Sequence, residues 1–143
     1  MKHLIFDVNV IIDYWLHEKS AVSTLKLLES DPAKSIKKWI VASQLHTLHY
    51  TCRSVFKRKG VPPEQVSQVA KKLLETLLRR VEVLSNFGFE QATVYQQARD
   101  FEDAQIAAAA RSLGEQTVCI VTRNTKDFEA IDGLQVINPW QLH

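Results

Sequence analysis

The chain has 143 residues and a mass of 16.3 kDa, with 45% hydrophobic and 24% charged residues. These values are close to globular averages and predict a single domain spanning residues 1–143, which excludes disordered and collagen-like chains. No stretch reaches the roughly 18 apolar residues that cross a bilayer. Because Cys52 and Cys119 lie far apart without a C-x-x-C pair, we expect reduced thiols in a cytoplasmic protein rather than a disulfide framework or zinc site.

Short apolar runs alternate with stretches of helical periodicity along the chain. The runs predict β-strands at residues 4–6, 39–42, 81–84, 118–121 and 134–137. Apolar spacing and capping residues predict helices at 9–17, 20–30, 43–59, 63–80, 89–99, 100–114 and 126–131. Ser43 is expected to cap the third helix, and Gly114 to end the sixth. This alternation predicts an α/β fold with a parallel sheet covered by helices on both faces.

The formal net charge of +2 is unevenly distributed along the chain. Residues 53–80 contain eight basic and two acidic side chains and so carry +6, while the rest of the chain carries −4. A basic surface beside an acidic pocket would suit a partner that carries phosphate groups. The same pattern would also arise from two ordinary helices with polar faces in solvent, and charge alone leaves both interpretations open.

Polar residues that follow strands are the first candidates for a site, because ligands of an open parallel sheet bind beyond the carboxyl ends of its strands. Asp7 follows the first strand, and Thr122-Arg123-Asn124 follows the fourth, with Asp127 three residues further on. Acidic residues also open the sixth helix, namely Asp100, Glu102 and Asp103. If these segments meet at one edge of the sheet, several carboxylates converge there.

Convergent carboxylates repel one another unless they are protonated or bind a cation. Carboxylate oxygens and water are the ligands that Mg²⁺ and Mn²⁺ prefer. Such an ion beside a basic surface is what phosphodiester hydrolysis needs. The basic residues would hold the nucleic acid backbone, while the ion would polarise the phosphoryl oxygen and activate a water.

Each acid also has a structural explanation. Asp7 could cap the helix that follows it, and Asp100 and Glu102 are favoured as a cap and a partner of the helix dipole. For Asp103 the site interpretation is favoured, whereas Asp13 is expected to be solvated. For Asn124 and Asp127, the alternative to a site role is that they simply form a polar turn.

Three segments together resemble the PIN domain family. The segment Leu4–Asp13 is similar to the family's D-x-N-V-x-x-D start, and Asp100–Ala110 is similar to its D-F-E-D-A helix start. The segment Ile120–Phe128 resembles the closing I-V-T-R-N-x-x-D-F. The resemblance implies a three-layer α/β/α sandwich with a mainly parallel central sheet, and Mg²⁺- or Mn²⁺-dependent cleavage of RNA.

The resemblance also implies roles for individual residues. Asp7 and Asp103 would bind the metal, and Asp127 would complete the catalytic carboxylates. Asn9 would brace Asp7 by hydrogen bonding. The supporting residues implied by the same segments and the neighbouring third helix are Asn9, Asp100, Thr122, Asn124 and Thr47.

One position departs from the family pattern. The family usually places an acid on the helix after the second strand, and Thr47 stands there in this chain. His46 and His49 are neighbours, but imidazole suits Mg²⁺ poorly, and a solvated or packed histidine is the favoured interpretation. A degenerate PIN domain that binds RNA or protein with weak or no catalysis therefore remains the alternative.

The resemblance further implies partners. Small bacterial and archaeal PIN proteins are often VapC-like toxins that a partner antitoxin holds inactive, and they often form homodimers. RNA is the expected substrate, with its backbone held by Arg53, Lys57, Arg58 and Lys59. Other nucleotide-binding classes fit less well, because the chain has no G-x-x-x-x-G-K-[ST] loop and no G-x-G-x-x-G fingerprint.

Overall fold

A computed structural model describes residues 3–16, 21–29, 36–85, 101–114, 117–131 and 133–141. The strands are β1 (His3–Phe6), β2 (Lys37–Val41), β3 (Glu82–Leu84), β4 (Val118–Val121) and β5 (Gln135–Ile137). The helices are α1 (Val8–Trp15), α2 (Ala21–Leu28), α3 (Ala42–Arg58), α4 (Pro63–Leu78), α5 (Phe101–Ser112) and α6 (Thr125–Glu129). A single 3₁₀ turn, Pro139–Gln141, follows β5.

The strands form one parallel sheet in the order β3-β2-β1-β4-β5. The chain moves outward from β1 through β2 to β3 and then returns to the other side of β1 with β4. The strand order therefore reverses between β1 and β4, and a ligand crevice forms at the carboxyl ends of such a pair. Phe6 pairs with Val121 at this edge, so the residues that follow them, Asp7 and Thr122, lie side by side.

Both faces of the sheet are buried, because successive strand residues point to opposite sides. Leu4 and Phe6 pack with residues of α1, α2, α3 and α4 on one face. Ile5 and Ile120 pack with α5 and Phe128 on the other. The molecule is thus a three-layer α/β/α sandwich. Helix α5 contacts the sheet through Ile106 and a run of buried alanines, whose small side chains let the helix backbone approach the strands closely.

The predicted fold class is confirmed, and the predicted strands lie within two residues of the observed ones. The expected cap at Ser43 is wrong: α3 begins at Ala42, so Ser43 lies inside the helix, and Val41 precedes it without a side-chain cap. Gly114 ends the turn after α5 with a φ of 91°, a conformation that favours glycine. The helix predicted at 89–99 and the residue Asp100 lie outside the described residues.

The two cysteines are free and buried, as the sequence predicts. Burial raises the pKa of each thiol, Cys52 and Cys119, from 9.0 to about 11, because the thiolate would lose its hydration. Both therefore remain neutral thiols at physiological pH. No helix in the described part of the chain is long and apolar enough to cross a membrane.

Candidate active site

A pocket of about 260 Å³ lies at the carboxyl edge of the sheet, where the strand order reverses. It is lined by Asp7, Val8, Asn9, Ile12, Thr47, Thr51, Glu102, Asp103, Arg123, Asn124 and Asp127. The sequence-predicted residues among these are Asp7, Asn9, Thr47, Asp103, Asn124 and Asp127. Four separate segments of the chain therefore meet at this pocket, namely the β1–α1 junction, α3, α5 and the β4–α6 junction.

Asp7 is held at both carboxylate oxygens. Its Oδ1 accepts a hydrogen bond from the backbone N–H of Val8 at 2.7 Å, and its Oδ2 accepts one from Thr122 Oγ1 at 2.7 Å. The residue is 7% exposed and is the N-cap of α1. The capping interpretation is thus correct, yet it does not compete with a site role, since the same carboxylate also lines the pocket.

A network of polar side chains ties the loop after β1 to the loop after β4. Asn9 Nδ2 donates to Asp7 Oδ2 and to Thr122 Oγ1, both at 3.3 Å. Asn9 Oδ1 accepts from the backbone N–H of Arg123 at 3.2 Å. The fully buried Thr122 Oγ1 also accepts from the backbone N–H of Asn124 at 3.1 Å. The orientation of Asp7 is therefore fixed by partners on two neighbouring strands.

Asp103 and Asp127 lie in the first turns of two helices, α5 and α6. Asp103 is 7% exposed and lies in the first turn of α5. Asp127 is half-buried in the first turn of α6, and its backbone N–H donates to the Asn124 carbonyl at 3.1 Å. The buried Phe128 packs α6 against the same core cluster as α5. This packing brings both carboxylates to the pocket.

Thr47 contacts an acid that the sequence interpretation assigned to helix stabilisation. Thr47 Oγ1 donates to Glu102 Oε1 at 2.7 Å, and both residues line the pocket. Glu102 is therefore a pocket residue, whereas the sequence favours a structural role for it despite its adjacency to Asp103. His46 is exposed and His49 half-buried, and neither lines this pocket.

Arg123 and Asp13 are a second pair that sequence reasoning missed. The expectation of a solvated Asp13 is wrong: the residue is 5% exposed, and its Oδ2 forms an ion pair with Arg123 Nε at 2.9 Å. The Arg123 guanidinium also lies 5.6 Å from the ring centroid of Trp140. Asp13 sits one turn after Asn9 on α1, so its burial follows from the same helix face that carries Asn9 to the pocket.

The predicted RNA-binding residues lie away from the pocket. Arg53, Lys57, Arg58 and Lys59 are all exposed, and they occupy the second half of α3 and its carboxyl cap. At about 1.5 Å per helical residue, Arg53 lies about 3 Å and Lys57 about 9 Å along the axis from Thr51, the nearer α3 residue of the pocket lining, and at about 100° per residue Arg53 projects from a different side of the helix than Thr51. These residues can meet only the flanking parts of a long ligand that also enters the pocket.

The donor set of the pocket fits a hard divalent cation. The carboxylates of Asp7 and Asp103 and the half-buried Asp127 supply oxygen ligands of the type that Mg²⁺ and Mn²⁺ prefer. Within the described ranges, no three His, Cys, Asp or Glu side chains lie close enough together to hold an ion. Mg²⁺ is commonly bound through one or two carboxylates and several waters, so a pair such as Asp7 and Asp103 is sufficient.

The molecule is an all-parallel α/β/α sandwich with carboxylates at the point where the strand order reverses. Proteins of this class bind ligands beyond the carboxyl ends of their strands. Comparison with protein families is more specific: the model described as "PIN domain" matches residues 3–126. The chain belongs to the PIN domain family. A comparison with curated proteins finds no match.

Solved structures share the fold over nearly the whole chain. FitAcB from Neisseria gonorrhoeae gives a TM-score of 0.68 at 20% identity, covering 97% of this chain and 99% of that chain. VapBC-1 from nontypeable Haemophilus influenzae gives 0.66 at 21% identity, covering 96% and 98%. VapBC2 from Rickettsia felis, bound to a DNA fragment from its promoter, gives 0.64 at 22% identity, covering 95% and 98%.

Proposed function

We propose that this chain is a divalent-metal-dependent endoribonuclease and the toxin of a toxin–antitoxin pair. The observation that carries the proposal is the meeting of Asp7 and Asp103 in one pocket, with Asp7 held by Thr122 at 2.7 Å. Membership of the PIN family supports it. So do the names of similar structures, VapBC and a toxin–antitoxin complex from Klebsiella pneumoniae.

In this mechanism, Asp7 and Asp103 would hold an Mg²⁺ or Mn²⁺ ion, and Asn9 and Thr122 fix the Asp7 carboxylate through the hydrogen bonds that they donate to its Oδ2. The bound ion supplies charge neutralisation at the phosphoryl oxygens and lowers the pKa of the attacking water. Asp127 lines the same pocket and would accept a hydrogen bond from an attacking water there. The exposed basic residues of α3, Arg53, Lys57, Arg58 and Lys59, bind the flanking RNA backbone.

The partners follow from the same proposal. RNA is the substrate, and an antitoxin protein inhibits the toxin by covering the pocket. A homodimer is the proposed assembly. The site of action is the cytoplasm, where RNA is accessible and where the buried neutral thiols would remain reduced.

The test is cleavage of a labelled single-stranded RNA by the purified chain. We expect cleavage with Mg²⁺ or Mn²⁺, and a loss of about 1000-fold in Asp7→Asn and Asp103→Asn, since each removes charge that the ion needs. Glu64→Gln, an exposed acid in the first turn of α4, is the matched control and should cleave normally. Wild-type cleavage that persists in excess EDTA would overturn the metal-dependent mechanism.

A degenerate binding module is the second candidate, and a specific observation favours it. Thr47 offers a hydroxyl where the family usually has an acid, and it is already engaged with Glu102 at 2.7 Å. The variant Thr47→Glu separates the two functions. A gain of about tenfold or more in cleavage would indicate an impaired wild type, whereas RNA binding without cleavage in both proteins would support the binding module.

A further inference from the structure

Arg123 is held on three sides at the rim of the pocket. Its Nε pairs with the buried Asp13 at 2.9 Å, its guanidinium lies 5.6 Å from the Trp140 ring centroid, and its backbone N–H donates to Asn9 at 3.2 Å. A long side chain fixed in this way loses less conformational entropy when it binds a ligand. The side chain is still 38% exposed, so it is both held in place and accessible.

The guanidinium keeps part of its binding capacity for a ligand. Arginine has five N–H donors in a planar fork, and the ion pair with Asp13 uses Nε. The Nη edge of the fork suits an anion with two oxygens, above all a phosphate. Arg123 itself lines the pocket, so a phosphate on this edge would lie within the candidate active site.

The charge of the pocket explains why such a cation is needed there. The described lining contains the acids Asp7, Glu102, Asp103 and Asp127, and Arg123 is the cationic side chain among them. A phosphate chain would be repelled by these carboxylates, and the exposed basic residues of α3, Arg53, Lys57, Arg58 and Lys59, do not line the pocket. Arg123, although it is paired with Asp13 through Nε, offers its Nη donors to a phosphate at the pocket.

Trp140 adds an aromatic surface next to Arg123. It is 39% exposed, so part of the residue is open to solvent. Its backbone N–H donates to Asn138 Oδ1 at 2.9 Å, and the Thr122 N–H donates to the Ile137 carbonyl at 2.9 Å. These bonds fix the turn after β5 against the loop that carries Arg123. An exposed indole beside a phosphate-binding cation is the arrangement on which single-stranded nucleic acids stack their bases.

We propose that Arg123 and Trp140 form a nucleotide subsite at the rim of the pocket, in which Arg123 binds a phosphate and Trp140 stacks an unpaired base of single-stranded RNA. The inference rests on the proposed function for its substrate class. It goes further by naming the residues that hold the nucleotide next to the scissile phosphate. It also predicts a preference for unpaired over duplex RNA, because the bases of a duplex already stack on one another.

The experiment measures binding of a fluorescein-labelled oligouridylate by fluorescence anisotropy in EDTA, where the proposed enzyme does not cleave. Arg123→Gln should weaken binding about tenfold and reduce the slope of log K against log salt by about one. Arg123→Lys, which keeps the charge but loses the fork, should give a smaller loss. Trp140→Leu should weaken single-strand binding about tenfold and leave binding to a matched RNA duplex unchanged.

The matched control is Lys37→Gln, since Lys37 is also an exposed cation beside a tryptophan ring, 6.0 Å from the Trp39 centroid, but lies at the start of β2, at the opposite end of the sheet from the pocket. Its affinity should equal that of the wild type. Circular dichroism and melting curves verify folding, and if Arg123→Gln does not fold, Arg123→Lys and Trp140→Leu decide the question.

The subsite is overturned if folded Arg123 and Trp140 variants bind RNA as tightly as the wild type, because Arg123 would then serve only as the partner of Asp13. This failure is distinct from failure of the nuclease proposal. A wild type that binds through the subsite but never cleaves with Mg²⁺ or Mn²⁺ contradicts the nuclease alone. A wild type that cleaves, with KM unchanged in both variants, contradicts the subsite alone.

Discussion

The pocket has two walls that are held in different ways. We define the sheet wall as Asp7, Asn9 and Asn124, which line the pocket, together with the fully buried Thr122, which forms hydrogen bonds with all three. The helical wall consists of Thr47, Thr51, Glu102 and Asp103, and a hydrogen bond from Thr47 to the exposed Glu102 joins α3 to α5 there. Strand pairing fixes the first wall, whereas side chains on separate helices form the second.

This difference indicates which wall of the pocket already has its ligand-binding arrangement before a ligand arrives. Side chains that bond to both β1 and β4 cannot move without disturbing a buried core, so Asp7 is oriented before any ligand arrives. The helical wall carries acids on α5 and a threonine on α3, and their relative positions depend on helix packing. We therefore expect the same chemical change to have unequal consequences in the two walls.

Among changes that leave the proposed metal ligands in place, the largest effect is expected for Thr122→Val in the sheet wall. Valine keeps the shape of threonine but removes the hydroxyl that donates to Asp7 Oδ2, so Asp7 should lose part of its orientation. Residues that orient metal ligands typically contribute about 10–100-fold, and we expect a loss of that size in cleavage rate. Thr117→Val is the control, because its hydroxyl donates to Gly114 at the opposite end of β4. Full activity in Thr122→Val would show that Asp7 needs no support from β4.

A bound ion should couple the two walls. If Asp7 and Asp103 share the cation, Mn²⁺ should stabilise the folded wild type by about 1–2 kcal/mol at a concentration well above Kd. The increase in melting temperature should shrink in both Asp7→Asn and Asp103→Asn, and EDTA should reverse it. If the increase in melting temperature is unchanged in Asp103→Asn, the ion binds to the sheet wall alone. A wild type whose melting curve ignores the metal would contradict a formed site.

The smallest effect is expected for Thr47→Val in the helical wall. The change removes the hydrogen bond to Glu102, but Glu102 is exposed and water can replace the lost donor. We expect at most about a threefold change in cleavage rate and less than about 0.5 kcal/mol in the free energy of unfolding. Comparison with Thr122→Val in the same assays tests the contrast between the walls. Equal losses of cleavage rate in the two variants would contradict the expected contrast between the walls.

The sequence indicated the sheet wall better than the helical one. Asp7 and Thr122 could be placed together because each follows a predicted strand of a parallel sheet, and the carboxyl ends of such strands meet at one edge. Glu102 was assigned to the helix dipole because its contact with Thr47 joins two helices separated by 55 positions. No local sequence pattern indicates a contact between residues so far apart in the chain. The wrong cap at Ser43 has another origin: α3 begins immediately after β2, which leaves no residue for a side-chain cap.

The sequence by itself determined the alternation of strands and helices, the parallel sheet, and the acids that follow its strands, because periodicity and strand ends are local properties. Only the tertiary structure decided that Asp13 is buried and pairs with Arg123 at 2.9 Å, and that Arg123 lies beside Trp140. Those contacts join α1, the loop after β4 and the turn after β5. Their energy depends on burial and on the distance between charges, and both exist only once the three segments have packed together.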